Sequence, residues 1–234
     1  ISAIENVVGG SGNDTITADT NTNTLSGGAG DDIYKFNNTW GADTVVDSSG
    51  NDTLDFSAFN TFTALSTSLT FNFNGASVGS SSGDTVSYGN IENFIGGTRA
   101  DQFIFVDGVS VVGNIDGMGG NDTLDFSAMT TARNVVLTSV GSVDGFNGTA
   151  NGIGGTFNNI DNVIATSLAD TLTGANLIAL WTLSTTNTYA ANSYTLTFSG
   201  FETLQGGTLA DTFSINGTRT ETINGGAGND ILLL

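Results

Sequence analysis

The sequence has no cysteine, no histidine and no proline among its 234 residues. Without cysteine there is no disulfide framework and no thiol chemistry. Without histidine the chain lacks the commonest general base and the commonest transition-metal ligand. At its average share of about 5%, proline would occur roughly a dozen times, and it is avoided where every backbone N–H joins a β-ladder. These absences favour a chain made almost entirely of strands and turns, in an oxidising or extracellular setting.

Basic residues are also scarce, since 23 acidic residues face only 4 basic ones and the formal net charge is −19. Nucleic acids and anionic lipid surfaces both require cationic binding surfaces, so this balance argues against either as a partner. It favours cations instead. No signal peptide and no apolar run long enough for membrane insertion is visible. The hydrophobic share of 38%, with 15 phenylalanines, is too high for a disordered acidic tail.

Glycine, in contrast, is abundant, with 33 residues or about twice the usual share. It clusters in turns that end in a carboxylate and lead directly into a strand, most completely at residues 9–17, 27–35 and 225–233. Glycine can adopt positive φ, which allows several carbonyl groups to point inward. A turn that combines such carbonyls with a carboxylate suits a hard cation, calcium above all.

The turns recur at short, regular steps. Asp14, Asn23 and Asp32 follow one another at nine-residue intervals, and Asp43 and Asp52 continue the series with one longer step. Short strands at this spacing cannot each bury an apolar face alone, but strands stacked in parallel share a continuous core. The sequence therefore predicts an all-β fold, a parallel β-solenoid of the β-roll or β-helix type, with glycine-rich turns and inserted loops.

A longer repeat suggests how the chain is divided. Residues 50–58 recur letter for letter at 120–128, and a phrase of the form Ile-Glu-Asn followed by two apolar residues begins related segments. We expect the Glu of this phrase to be solvated. The segments predict modules of one continuous solenoid at 1–90, 91–159, 160–200 and 201–234. The copies of the phrase lie at 4–8, 91–95, 160–164 and 201–205.

The strand pattern also predicts the core. Apolar or β-branched runs at 69–73, 134–138, 177–183 and 194–198 read as strands, whereas 76–90 and 139–156 read as loops, and no amphipathic helix is convincing. The predicted inward-facing residues are Ile16, Leu25, Tyr34, Leu54, Phe56, Phe103, Phe105, Leu124, Phe126, Leu172, Phe213, Ile215 and Leu232.

The pattern Gly-Gly-x-Gly-x-Asp-x-U-x, with U a large apolar residue, resembles the RTX (hemolysin-type calcium-binding) repeats. In that family six residues form a turn and three form a strand, and calcium lies between stacked turns, held by Asp carboxylates and turn carbonyls. The resemblance implies several calcium ions. The ligand residues it implies are Asp14, Asp32, Asp43, Asp52, Asp101, Asp122, Asp211 and Asp230, with Asn13, Asp31 and the turn glycines Gly10, Gly12, Gly28 and Gly30.

Some turns depart from the pattern. Arg99, Leu168 and Leu209 stand where the family has its third glycine. We expect the arginine beside Asp101 to replace calcium with an internal ion pair. The chain should therefore hold fewer ions than carboxylates, clustered in 9–56, with further sites near 113–126 and 206–232.

The functional expectation follows from these residues. With four scattered bases, no complete acid–base or nucleophilic set can be assembled, so we expect no enzymatic activity. We predict a calcium-stabilised structural region of a secreted bacterial cell-surface protein, such as an adhesin stalk, surface layer or matrix fibre. The alternative is a calcium-dependent C-terminal secretion module of an exported hydrolase. Neither terminus shows a polar capping turn, so we expect a longer repeat array or end-to-end self-association.

Overall fold

The computed structural model describes residues 5–59 and 68–234. All the regular elements in these two ranges are β-strands, and they contain no helix that could span a membrane. The strands are β1 (Asn6–Gly10), β2 (Thr15–Thr17), β3 (Thr24–Gly28), β4 (Ile33–Lys35), β5 (Ala42–Val46), β6 (Thr53–Asp55), β7 (Leu69–Asn72), β8 (Ser77–Ser80), β9 (Thr85–Gly89), β10 (Asn93–Ile95), β11 (Gln102–Val106), β12 (Ile115–Asp116), β13 (Thr123–Ala128), β14 (Asn134–Val140), β15 (Phe146–Ala150), β16 (Phe157–Ile160), β17 (Asn162–Ile164), β18 (Thr171–Thr173), β19 (Ala179–Leu183), β20 (Asn187–Ala191), β21 (Tyr194–Ser199), β22 (Thr203–Gln205), β23 (Asp211–Ile215), β24 (Thr222–Asn224) and β25 (Ile231–Leu233).

The strands form two long sheets, and the chain alternates between them as it winds. In one sheet β2, β4 and β6 pair in parallel, so that Ile16 lies opposite Tyr34 and Tyr34 lies opposite Leu54. One coil therefore takes 18 to 20 residues, which is two of the nine-residue steps seen in the sequence. This winding confirms the predicted β-solenoid. The division into four modules stays a prediction.

The regular winding is interrupted by three antiparallel meanders, β7–β8–β9, β14–β15–β16 and β19–β20–β21. At each meander the chain skips two strand positions in the sheet and places the first strand of the meander beyond them. The second and third strands then run back and fill the two skipped positions. The parallel winding then resumes beyond the meander. The strand order is β1-β3-β5-β9-β8-β7-β11-β13-β17-β21-β20-β19-β23-β25 in one sheet and β2-β4-β6-β10-β12-β16-β15-β14-β18-β22-β24 in the other.

The meanders correct one expectation. The segments 76–90 and 139–156, which their Gly, Ser and Asn content indicates as loops, contain β8, β9 and β15 and the end of β14. Because neighbouring strands supply a hydrogen-bonding ladder on both sides, even residues of low β-propensity are held in extended conformation here. The predicted strands at 69–73, 134–138, 177–183 and 194–198 are confirmed, with bounds that differ by at most two residues at either end.

The core lies between the two sheets as a column of stacked side chains. Aromatic rings from successive coils contact each other, with ring centroids 4.7 Å apart for Phe36 and Phe56 and 4.4 Å apart for Phe71 and Phe103. Each such fully buried side chain contributes about 1.5–3 kcal/mol. The predicted core residues up to Phe213 are all buried.

The core prediction is wrong at its C-terminal end. Leu232 has 55% of its surface exposed, and Ile215 is only partly buried. Both lie in the last strands of their sheet, where β25 has a single neighbour, β23. An apolar side chain in such an edge strand has no following coil to pack against, so the sequence pattern overstates its burial.

Candidate metal centre

A row of carboxylates runs along one corner of the solenoid. Asp32 Oδ1 accepts the backbone N–H of Asp14 at 2.7 Å, and the N–H of Asp32 donates to Asp52 Oδ1 at 2.8 Å. The N–H of Asp52 donates in turn to Glu92 Oε2 at 2.8 Å. Each of these residues directly precedes a strand, so the parallel register places them on top of each other. Hydrogen bonds to charged acceptors contribute about 1.5–3 kcal/mol each, so this row ties successive coils together.

The same arrangement recurs at the other corner, where the chain enters the larger sheet. The N–H of Asp101 donates to Asp122 Oδ1 at 2.8 Å, and the N–H of Asp122 donates to Asp161 Oδ2 at 3.1 Å. The N–H of Asp211 donates to Asp230 Oδ1 at 2.9 Å. The fold therefore stacks acidic side chains at both corners, and backbone amides of adjacent coils donate to them.

The acidic residue of the Ile-Glu-Asn phrase belongs to these rows. Glu92 and Asp161 accept backbone N–H groups as described above, and Glu202 Oε2 accepts the N–H of Asp170 at 2.8 Å. Glu92 and Asp161 are half-buried, so the expectation that this residue is solvated is wrong for these two copies, whereas Glu202 is exposed as expected. All three residues directly precede a strand, as the turn aspartates do. In the first copy the acidic residue is Glu5, which is exposed as expected.

The first glycine of each complete turn leaves room for the carboxylate of the same turn. A Cβ built on Gly27 would lie 2.0 Å from Asp32 Oδ2, and one on Gly117 would lie 2.5 Å from Asp122 Oδ2. The side chain of the aspartate thus folds back over its own turn. This contact explains why the motif requires glycine five residues before the aspartate.

The turn glycines also permit close contact between coils. Gly28 and Gly30 have φ of +108° and +116°, and their Cβ positions would overlap the backbone of Gly10 and Gly12 in the preceding coil. The carbonyl group of Gly10 accepts the N–H of Ala29 at 2.9 Å. A side chain at Gly28 or Gly30 would separate the coils and their turn carbonyls.

Several aspartates keep one oxygen without a hydrogen-bond donor. The second carboxylate oxygens of Asp32, Asp43, Asp52 and Asp122 are buried and accept no hydrogen bond. A buried carboxylate oxygen without a donor costs free energy unless it is protonated or a cation is bound. These oxygens are therefore where a cation would be held.

The turns that lack the third glycine are closed by their own backbone. Asp101 Oδ2 accepts the N–H of Gly97 at 2.7 Å, and Asp211 Oδ2 accepts the N–H of Gly207 at 2.9 Å. Asp170 Oδ2 accepts the N–H of Thr166 at 3.0 Å in the same way. These are the turns in which Arg99, Leu168 and Leu209 replace glycine.

The expected ion pair between Arg99 and Asp101 is wrong. Arg99 is exposed, and the ion pairs found within residues 5–59 and 68–234 join Lys35 to Asp55 and Arg219 to Glu221. A backbone amide, and not a guanidinium, occupies the second oxygen of Asp101.

Three acidic side chains converge in the first coils. One carboxylate oxygen from each of Asp32, Asp47 and Asp52 lies within 4.8 Å of the others, and all three side chains are buried. Asp47 stands where the complete turns have their first glycine. The Tyr34 hydroxyl donates a hydrogen bond to Asp47 Oδ2 at 2.5 Å and accepts the N–H of Gly27. Burial, reinforced by the hydrogen bond to Asp47, raises the pKa of Tyr34, so this hydroxyl stays protonated.

A second group of three lies further along, at Asp122, Asp144 and Asp161, with the same separation of carboxylate oxygens. Asp144 comes from the tip of the hairpin formed by β14 and β15. Burial raises the pKa of Asp122 to about 9 and that of Asp161 to about 6. In the first group, burial raises the pKa of Asp52 to about 6. Without a cation these carboxyl groups hold protons more readily than ordinary aspartates.

The donor sets fit calcium. Two oxygens bound to one calcium ion at 2.3–2.6 Å are at most about 5 Å apart, and the separations in both groups satisfy this limit. All the donors are hard carboxylate and carbonyl oxygens, which suit calcium and not the softer transition metals. Asp32, Asp47 and Asp52 would hold an ion in one group, and Asp122, Asp144 and Asp161 in the other.

The sequence motif identified some of these residues and missed others. It predicts Asp32, Asp52 and Asp122, which the fold brings into the two groups. It misses Asp47, whose place five residues before Asp52 was an available signal. It also misses Asp144, for which no local pattern exists, and Asp161, whose place in the Ile-Glu-Asn phrase was an available signal.

The other predicted ligands are placed around these groups. Asp14 is half-buried at the start of its row, and Asp230 is exposed near the end of the chain. Asn13 and Asp31 are exposed and form a second, outer row, in which Asn13 Oδ1 accepts the N–H of Asp31 at 2.9 Å. Asp43 is buried, and its Oδ1 accepts the N–H of Asn23 at 2.8 Å. That these residues bind calcium stays a prediction.

Comparison with known families agrees with this chemistry. The model of the RTX calcium-binding nonapeptide repeat matches the chain in four copies, at residues 2–34, 37–55 and 215–233. A search of curated proteins gives no match. The matched residues are less than half of the chain, and the group at Asp122 lies outside them. The chain therefore carries RTX calcium-binding repeats in its first and last coils, and calcium is the cation that these repeats bind.

Proposed function

We propose that this chain is a non-enzymatic, calcium-stabilised structural segment of a secreted bacterial surface protein, of the kind that forms adhesin stalks, surface layers or matrix fibres. The observation that supports it most is the stacking of carboxylates along the corners, with buried oxygens that no protein group satisfies. A net charge of −19 destabilises a compact chain through self-repulsion. Cations bound between coils convert that repulsion into attraction.

The free energies are sufficient for such a switch. A site at 100 times its Kd stabilises the folded chain by about 2.7 kcal/mol, and the contributions of independent sites add up. Extracellular calcium modules bind with Kd of about 10⁻⁴–10⁻³ M. Sites of that affinity are empty inside a cell and filled outside it, so the chain would be loose during export and rigid at the surface.

The placement of the basic residues also supports a structural role. Lys35 and Arg219 form the ion pairs described above, and the Arg133 guanidinium donates to backbone carbonyl groups of Thr131 and Asn151. Arg99 is exposed. Lys35, Arg133 and Arg219 are thus engaged in contacts within the fold, whereas acid–base catalysis requires groups that face a substrate.

The two terminal strands of the larger sheet offer a surface for continuation. β1 and β25 each have one neighbour, and they expose Val8, Ile231, Leu232 and Leu233. Unpaired strand edges with exposed apolar side chains readily pair with another strand. We propose that further repeats, or a second copy stacked end to end, cover these edges.

Circular dichroism with calcium titration, followed by electron microscopy and labelling of intact cells, tests this function. We expect strand signal to rise with a midpoint near the extracellular affinity range, to reverse with chelator, and to accompany rods at the cell surface. Equal order in chelator, or a diffusible protein with a hydrolase domain attached, would contradict it; the latter result would instead favour the secretion-module alternative.

A further inference from the structure

We propose a calcium site outside the matched repeats, in which Asp122, Asp144 and Asp161 bind one ion that fastens the β14–β15 hairpin to the solenoid. Its ligands come from three separate segments: the turn before β13, the tip of the hairpin, and the residue before β17. The proposal does not depend on where the protein resides or on the role of its surface.

The central ligand is a buried side chain with a free oxygen. Asp122 has no exposed surface, and its Oδ1 accepts the N–H of Asp101 while its Oδ2 accepts nothing. Asp144 repeats this division, because its Oδ2 accepts the N–H of Gly120 at 3.0 Å and its buried Oδ1 has no donor. Each side chain is thus held by one oxygen and offers the other.

The space between them is lined with further oxygens. Asp161 Oδ2 accepts the N–H of Asp122, which fixes this third carboxylate against the turn. The position of a Cβ on Gly117 would lie 2.5 Å from Asp122 Oδ2 and 2.4 Å from the carbonyl oxygen of Asn159. The absence of a side chain at Gly117 therefore leaves a gap that a free carboxylate oxygen and a backbone carbonyl both border.

The tip of the hairpin is held in place by one amide side chain. Asn159 Oδ1 accepts the N–H of Val143 at 3.0 Å, and its Nδ2 donates to Asp116 Oδ1 at 2.7 Å. Asn159 is 1% exposed and adopts a left-handed backbone with φ of 54°. This arrangement presents Asp144 to the carboxylate row in a fixed position.

No protein cation neutralises this group. Both ion pairs found in the described part of the chain lie elsewhere, and Asp116 adds a further carboxylate beside Asn159. Three carboxylates whose oxygens lie within 4.8 Å repel each other strongly at low local dielectric. A divalent ion removes that repulsion and links the inserted hairpin to two coils.

The first test counts bound calcium in the full chain by equilibrium dialysis. Asp144→Asn removes the charge of the hairpin ligand while its amide oxygen can still accept the N–H of Gly120. Asp107→Asn is the matched control, because Asp107 is exposed and accepts the backbone N–H of Thr130 at 2.7 Å in a comparable way. We expect one calcium fewer per chain in the first variant and an unchanged count in the second.

A second test uses the unmodified chain and therefore does not depend on how the variants fold. Manganese prefers the same oxygen ligands and broadens the NMR signals of nearby nuclei. We expect the amide signals of Gly120 and Gly145 to broaden as manganese replaces calcium. An unchanged calcium count in Asp144→Asn, or sharp signals from both glycines at saturating manganese, would overturn the proposal while leaving the calcium sites of the matched repeats intact.

Discussion

Asp32 Oδ1 accepts the backbone N–H of Asp14, eighteen residues earlier and one coil away, at 2.7 Å. The other oxygen of Asp32 lies over Gly27 and has no donor. One carboxylate thus serves two purposes. The first oxygen aligns the coils whether or not a metal is present, and the second is free for a cation.

Replacing Asp32 by Asn should separate these two roles. The amide oxygen of Asn can still accept the N–H of Asp14, but the anionic oxygen is lost. We expect about 2.7 kcal/mol less stabilisation by calcium, which is the contribution of one site at 100 times its Kd, and a smaller change in chelator. Denaturant unfolding with and without calcium measures both values.

The exposed Asp107 supplies the control for this experiment. Asp107 is not among the predicted ligands, and its Oδ1 accepts the N–H of Thr130 at 2.7 Å, so Asp107→Asn changes the net charge equally. We expect this variant to keep nearly all of its stabilisation by calcium. Equal losses in the two variants would mean that net charge, and not a specific site, governs the response.

Replacing Gly27 by Ala should disturb the same site through sterics alone. The new Cβ would lie 2.0 Å from Asp32 Oδ2, so the carboxylate must leave its place. We expect a loss of about 1–3 kcal/mol in the free energy of unfolding and weaker calcium binding. Gly12→Ala is the control, because nothing lies within 4 Å of its Cβ position. Thermal unfolding of both variants in calcium compares them, and a Gly27 variant as stable as the control would refute this packing.

Asp101 belongs to a turn in which the second carboxylate oxygen already accepts a backbone N–H, unlike that of Asp32. The sequence predicts it as a ligand, but its two oxygens accept the N–H groups of Leu69 and Gly97. We therefore expect Asp101→Asn to bind as many calcium ions as the parent chain. The variant should still lose about 1–3 kcal/mol in both calcium and chelator, because its amide group meets a backbone donor. A calcium count reduced by one would instead establish Asp101 as a ligand.

The pH dependence of stability should differ between calcium and chelator. Burial raises the pKa of Asp101 to about 7 and that of Asp122 to about 9, above their values in the unfolded chain. A group with a raised native pKa stabilises the fold fully at pH values below its unfolded pKa, and this stabilisation is lost as pH rises through the native pKa. In chelator the free energy of unfolding should therefore begin to fall above about pH 4, the unfolded pKa of aspartate, and should continue to fall up to about pH 9.

Calcium should oppose this fall, since bound calcium holds its ligands ionised and competes with protons. Its stabilising effect should accordingly increase with pH over the same window. Denaturant unfolding at several pH values, with calcium and with chelator, gives both profiles. Parallel profiles would show that the buried carboxylates are not the groups to which calcium binds.

The sequence predicted the parts of this protein that depend on local spacing. The nine-residue period places Ile16, Leu25 and Tyr34 in the core, and the turn motif places Asp32 and Asp52 at a corner. Both features need only the residues of one turn and the next strand. The sequence therefore predicts these features without information about which coils are neighbours in the fold.

The remaining features depend on contacts between distant segments. The β14–β15 hairpin exists because its strands find partners on both sides of a sheet, and its own Gly- and Ser-rich residues give little indication of this. Asp144 reaches Asp122 only through that hairpin. Asp161 joins the row because parallel pairing sets its register. Arg99 shows the converse: it lies close to Asp101 in the sequence, but the two side chains do not form an ion pair.

A crystal structure of the chain grown in millimolar calcium, with anomalous scattering to locate the ions, tests the central account most directly. We predict anomalous peaks within 2.3–2.6 Å of carboxylate oxygens of Asp32 and Asp52, with the coils stacked in parallel around them. Corners that contain only water or protonated carboxyl groups under these conditions would contradict the account.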